Sequence, residues 1–261
     1  MLALSSRRVG RAARRVAAAA EAARALGFAS VHAAVPPSDA EGGRAALDAF
    51  GVSLAGVSTE PVGDLGALEG ALARAVEAAR TLREPRVVVD LGTYAAARRE
   101  SREAAVDALA RGLHEAYGRF GGVSLAVRPG PEAGGLLGLV ETEWLLDALA
   151  GKVLGVWLDP WRASRAEAAV AAAVRGTAPA KAPASALDWA DRLGRRASGV
   201  VLQGPGVRDG GRGLPEEGAL DWSTLRGLLP ARAVRVLDVG PEAADADVVE
   251  TRRRFEEAMG W

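Results

Sequence analysis

The feature that most restricts how this chain can fold is a repeated unit: a short apolar run that stops abruptly at a polar residue and is followed by an Ala-, Leu- and Arg-rich stretch of helical length. Val153 to Leu158 ends at Asp159 and Pro160, Val87-Val88-Val89 at Asp90, Leu125-Ala126-Val127 at Arg128, Val200-Val201-Leu202 at Gln203, and Val236-Leu237 at Asp238. Continuous runs of this kind are what strands buried on both faces look like, because neither face alternates with solvent. Parallel strands put their polar tips on one side of the sheet, so these five residues are expected to converge on one mouth.

Taken in order, Met1 to Leu4 reads as a first strand and Arg11 to Leu26 as an Ala-rich helix closed by Gly27. Phe28 to Val35 and Val52 to Val57 read as strands around a helix from Glu41 to Phe50 that Gly51 terminates. Helices are expected at Leu65 to Leu82, Ala95 to Tyr117, Leu139 to Leu149, Arg165 to Val174, Leu187 to Leu193, Trp222 to Leu229 and Ala246 to Met259. The Gly- and Pro-rich stretch Gly204 to Gly218 reads as an irregular excursion over the mouth. Eight strands alternating with helices in 261 residues match one (β/α)8 TIM barrel, expected to form a single domain over residues 1–261. A doubly wound open sheet is the alternative, but Leu4-Ser5-Ser6-Arg7 is not the Gly-rich phosphate turn such a fold carries after its first strand.

Composition removes several functions. Basic and acidic residues balance at 33 each, which argues against nucleic acid or an anionic membrane as the main partner. Cys is absent, so disulfides, thiol nucleophiles and thiolate metal sites are excluded, and His32 and His114 are too few for a multi-histidine site. Isoleucine and Asn are also absent and Gln203 is the only Gln, a bias that fits a GC-rich genome and a thermophile-like composition. No stretch reaches the roughly 20 apolar residues of a membrane span, and the expected location is cytoplasmic.

The strand ends resemble the xylose-isomerase-like barrels, a family of sugar and sugar-phosphate isomerases and epimerases that also includes hydroxypyruvate isomerase and endonuclease-four-type enzymes. The resemblance rests on Leu158-Asp159, on the strand Val200 to Leu202, and on Gly213 to Trp222, which is similar to the family's G-x-G-x-(apolar)-D-(aromatic) loop. It implies proton abstraction beside a carbonyl and a divalent metal, Mg, Mn or Zn, held by Glu, Asp, His and Glu at the ends of strands five to eight. Carried over position by position, those ligands fall on Arg128, Asp159, Val201 and Asp238, and two further family His positions fall on Asp90 and Arg162. A degenerate metal site with no bound cofactor is therefore expected, with Asp159 and Asp238 as the ligands if a metal is present. Arg128 is expected to ion-pair with Asp159, with Asp238 as a further partner.

Two readings of the mouth follow. In one, Asp159, Asp238 and His32 do acid and base chemistry on a sugar or small hydroxy-carbonyl substrate. In the other, a non-catalytic barrel binds an anionic metabolite or a protein partner, and a homodimer is compatible with either. Arg128, Arg162, Arg208 and Arg212 suit a phosphate or carboxylate, Trp161 suits a sugar face, and Asp90 and Gln203 are further substrate-binding candidates. Trp157 alternates with Asp159 and is expected to fill the barrel interior, where Gly155, Ala126 and Gly199 leave room.

Overall fold

The computed structural model describes residues 2–9, 16–92, 94–95, 101–129, 137–149, 154–160, 162, 185–202, 204–205, 212–213 and 222–259. Eight parallel strands close into a barrel: β1 (Leu2–Ser5), β2 (Ser30–Ala33), β3 (Ser53–Ser58), β4 (Arg86–Asp90), β5 (Ser124–Arg128), β6 (Leu154–Leu158), β7 (Ala197–Leu202) and β10 (Val234–Leu237). Each pairs with its neighbour in sequence and β10 returns to β1, with Ala3 opposite Val236. Around them lie α1 (Val16–Ala25), α2 (Ala40–Phe50), α3 (Leu65–Thr81), α4 (Arg102–Arg119), α5 (Leu139–Ala148), α6 (Ala186–Leu193), α7 (Trp222–Leu228) and α8 (Asp245–Met259). No helix among the described residues is long and apolar enough to cross a membrane.

Local chemistry sets the helix boundaries. Asp39 and Asp64 cap α2 and α3 by accepting from Gly42 and Ala67, and Gly51 closes α2 at a φ of 63°, a left-handed turn that costs Gly nothing. Ser101 accepts from the amide of Ala104, so α4 starts at Arg102, later than the expected Ala95. Ser5 extends β1, and a 3-10 turn over Ser6–Val9 follows it. The stretch from Gly204 is not wholly irregular: β8 (Gly204–Pro205) and β9 (Arg212–Gly213) pair antiparallel. The helix expected at Arg165 to Val174 lies outside the described residues.

Two apolar layers result. The larger lies between sheet and helices. The smaller fills the barrel and consists of Ala3, Ala55, Val88, Ala126, Trp157, Val201, Val234 and Val236. Trp157 is wholly buried at its centre, and the residues around it are small because a closed parallel barrel has a fixed interior width. A side chain on Gly199 would overlap the Trp157 ring, so Gly199 makes the room expected of it. At Gly155 a side chain would meet Ser198 first.

Replacing Gly199 by Val should force Trp157 from its place and lower stability by about 1–3 kcal/mol. Gly199→Val combined with Trp157→Leu should lose less than the sum of the two single changes, because the smaller side chain relieves the overlap. Urea unfolding of the four proteins measures this, and strict additivity would show that the two residues do not compete for space.

Candidate functional site

The period-two alternation that sends Val88, Ala126, Trp157 and Val236 inward carries two residues further to Asp90, Arg128, Asp159 and Asp238. All four stand at the carboxyl ends of their strands and all are at most 3% exposed. Asp90 and Arg128 lie directly opposite each other on β4 and β5. Nη2 of Arg128 donates to Asp159, and its Nη1 lies 3.8 Å from Asp90. Burial pushes the guanidinium toward losing its proton, but the charges of Asp159, Asp90 and Asp238 outweigh burial and raise its pKa. Arg128 is therefore a fixed cation enclosed by carboxylates.

Arg162 forms the rim of the same network. Its Nη1 donates to Asp90 Oδ1 and Oδ2 at 3.3 and 3.2 Å, and its backbone amide donates to Asp159 Oδ1 at 3.1 Å. Asp90 also accepts from the amide of Gly92 at 3.0 Å, the turn-capping role common for a carboxylate after a strand. Gly92 itself gives way to Arg162: any side chain there would overlap the guanidinium. Thr59 fixes Asp90 from behind, its hydroxyl accepting from the Asp90 amide at 3.0 Å.

His32 projects from β2 into the same end of the barrel, stacked on Trp157 with ring centroids 4.9 Å apart. Its Nε2 lies 2.9 Å from the Ser58 hydroxyl, a hydrogen bond whichever of the two donates. Burial, reinforced by the nearby positive charge of Arg128, lowers its pKa to about 3 against the opposing pull of Asp238. At neutral pH the imidazole is uncharged and a weak base.

Six of the sequence-derived candidates thus meet in the mouth: His32, Asp90, Arg128, Asp159, Arg162 and Asp238. Trp161, Gln203 and Arg208 lie outside the described residues, and of Arg212 only the backbone is described. Ser58, Thr59 and Gly92 escaped sequence reading. The Val57-Ser58-Thr59 strand end was the available signal for the first two, since it breaks an apolar run as the others do.

No protein-family profile and no curated protein sequence matches the chain. Solved structures do match over its full length. A xylose isomerase domain containing protein from Salmonella typhimurium LT2 is 15% identical, with 100% of this chain and 97% of that chain covered and a TM-score of 0.63. The fold is that of the xylose-isomerase-like barrels. Endonuclease IV from Thermus thermophilus has the same barrel at 20% identity, covering 99% of this chain and 98% of that one, with a TM-score of 0.60. So does the IolI protein, whose crystal structure holds a zinc atom, at 12% identity, 99% and 98% coverage and a TM-score of 0.65. At these identities the likeness carries the architecture, not a shared reaction.

His32 gives a prediction with a definite sign. Its folded pKa of about 3 lies below the ordinary value of 6.5, so on acidification the unfolded chain takes up a proton that the folded chain refuses. Its stabilising contribution is complete above about pH 6.5 and falls away as pH drops toward 3, by at most about 1.4 kcal/mol per pH unit. Urea unfolding between pH 4 and 8 should show this slope, and His32→Gln should flatten it; an unchanged slope would mean that the ring is accessible to protons in the folded protein.

Proposed function

We propose that this barrel binds a polyhydroxylated, sugar-like ligand in its mouth, with a guanidinium network standing where the resemblance to xylose-isomerase-like barrels would put a metal. The observation that carries the reading is Arg128, buried and paired with Asp159, with Asp90 3.8 Å away. A divalent ion about 4 Å from a fixed guanidinium meets a repulsion of roughly 8 kcal/mol at an effective dielectric of 20. Two of the carboxylates that would attract such an ion, Asp159 and Asp90, are already engaged by Arg128 and Arg162. Among the described residues, no three His, Cys, Asp or Glu side chains converge as a metal-ligand set. The residues present therefore do not fit a divalent metal, and no step of the function is routed through one.

The ligand class follows from charge and hydrogen-bonding capacity. Both described mouth arginines are paired with carboxylates, and with His32 uncharged the three carboxylates outnumber them. That balance disfavours an anion deep in the mouth. It suits neutral hydroxyl groups, for which carboxylates are acceptors and guanidinium groups donors at fixed angles. Arg162, the most exposed of the four network side chains, is the residue an entering ligand meets first.

A second reading has its own support: Asp159 and Asp238 are both buried in one mouth, as an acid and base pair acting beside a carbonyl would be. Solvent deuterium incorporated into a sugar substrate, and abolished separately by Asp159→Asn and Asp238→Asn, would favour that isomerase or epimerase chemistry over binding alone.

The test of the binding reading is a thermal-shift screen of neutral sugars in the presence of a chelator, together with metal analysis of the purified protein. A sugar at about 100 times its Kd should stabilise by roughly 2.7 kcal/mol with the chelator present. Tight stoichiometric metal, or sugar binding that requires metal, would overturn the reading.

Two variants sharpen it. Arg128→Met should cost about 3–5 kcal/mol of stability by leaving buried carboxylates uncompensated. Arg128→Glu together with Val201→His should acquire divalent-ion binding measurable by calorimetry, and Arg128→Glu alone should not.

A further inference from the structure

The amino-terminal end of the barrel has the opposite charge balance from the mouth. A concave volume of about 520 Å³ opens below β4 to β7, with Arg86, Arg195, Arg196 and Arg232 around it, Ser124 and Ser198 among its walls, and no carboxylate among the described residues of its lining. Two of these arginines are engaged: Arg196 pairs with Asp147 at 2.7 Å, and Arg86 donates to the Ala55 carbonyl at 2.6 Å with Glu84 4.0 Å away. Arg195 and Arg232 are exposed and make no ion pair or side-chain hydrogen bond among the described residues.

Elsewhere on the surface Arg44, Arg74, Arg119, Arg192 and Arg253 each face a carboxylate, while the exposed Arg24, Arg83, Arg111 and Arg226 make no ion pair among the described residues. What sets the pocket apart is the gathering of four guanidinium groups around one concavity.

The two uncommitted side chains are also held on rigid supports. Arg232 sits in the turn Pro230–Ala233, closed by the Ala233 amide donating to the Pro230 carbonyl at 2.9 Å. Arg235, buried beneath it, donates to the carbonyls of Ala231 and Ala233 at 2.9 and 2.6 Å and so stitches the turn from below. Arg195 sits in the 3-10 turn Gly194–Arg196. There Gly194 packs so closely on the Leu228 carbonyl that a side chain would come within 2.7 Å of it. Arg196, clamped by Asp147 and by the Leu146 carbonyl, fixes the other end of that turn.

We propose that this amino-terminal pocket binds a phosphorylated small molecule, with Arg195 and Arg232 as its charged contacts. Two uncompensated guanidinium groups match a phosphate dianion, for which the planar fork of arginine provides paired donors. The volume falls within the range of small-ligand sites. The apolar plug of Trp157, Val88 and Ala126 separates the pocket from the mouth, so the two ends bind independently.

The experiment is calorimetric titration with inorganic pyrophosphate at ionic strength balanced with sodium chloride. Saturable one-site binding is expected, weakened about tenfold or more in the double variant Arg195→Gln and Arg232→Gln. The unliganded unfolding midpoint of that variant should be unchanged, since both side chains are exposed. The double variant Arg74→Gln and Arg119→Gln, which removes the same charge elsewhere on the surface, should bind as the unaltered protein does, and so should Arg162→Gln in the mouth. Absence of saturable binding, equal weakening in the Arg74 and Arg119 variant, or weakening in Arg162→Gln but not in the Arg195 and Arg232 variant would each overturn the proposal.

Discussion

The mouth of this barrel depends on one buried cation. Three carboxylates at the ends of β4, β6 and β10 would repel one another in a site from which water is largely excluded. Arg128 reconciles them by pairing with Asp159 and approaching Asp90, while Arg162 returns from beyond β6 to engage Asp90 again. The arrangement carries a steep desolvation cost that is recovered only when every member is present. It is therefore rigid and specific to its partners, which suits a site that has to hold donors and acceptors at fixed angles.

The same packing constraint governs the layer below. Trp157 fills the barrel because Gly199, Ala126 and Ala55 do not, and its ring becomes the platform on which His32 lies. His32 is then enclosed between an aromatic face and the Ser58 hydroxyl, and that enclosure is the main reason it stays neutral. Core packing and mouth electrostatics are thus linked through a single stacked pair. Beneath the plug four guanidinium groups gather, and two of them, Arg195 and Arg232, make no ion pair among the described residues, so one barrel with no formal net charge has ends of different character.

Much of this was legible in the residues. The repeat of apolar runs ending at polar tips pointed to eight strands, and the barrel has eight. Gly51 was readable as a helix end because the left-handed turn there suits glycine, and Gly199 as room for Trp157 because alternation along the strands is strict. The start of α4 was misread because Ala- and Arg-rich sequence continues upstream of Ser101; propensity alone cannot outrank a capping hydroxyl.

What the sequence determined by itself was therefore the alternation of elements, the inward or outward direction of the strand residues, and the convergence of Asp90, Arg128, Asp159 and Asp238 at one end of the barrel. These follow from local periodicity and from the single direction that parallel strands impose. Only the tertiary structure decided which of those side chains pair. The reach of Arg162 to Asp90 depends on a turn and on the bare backbone of Gly92, and the neutrality of His32 on how completely Trp157, Ser58 and Arg128 enclose it. The gathering of Arg86, Arg195, Arg196 and Arg232 likewise depends on barrel closure, which brings positions more than a hundred residues apart around one cavity. Distances of this kind are set by how the barrel closes and how its loops return, and no local pattern in the chain records them.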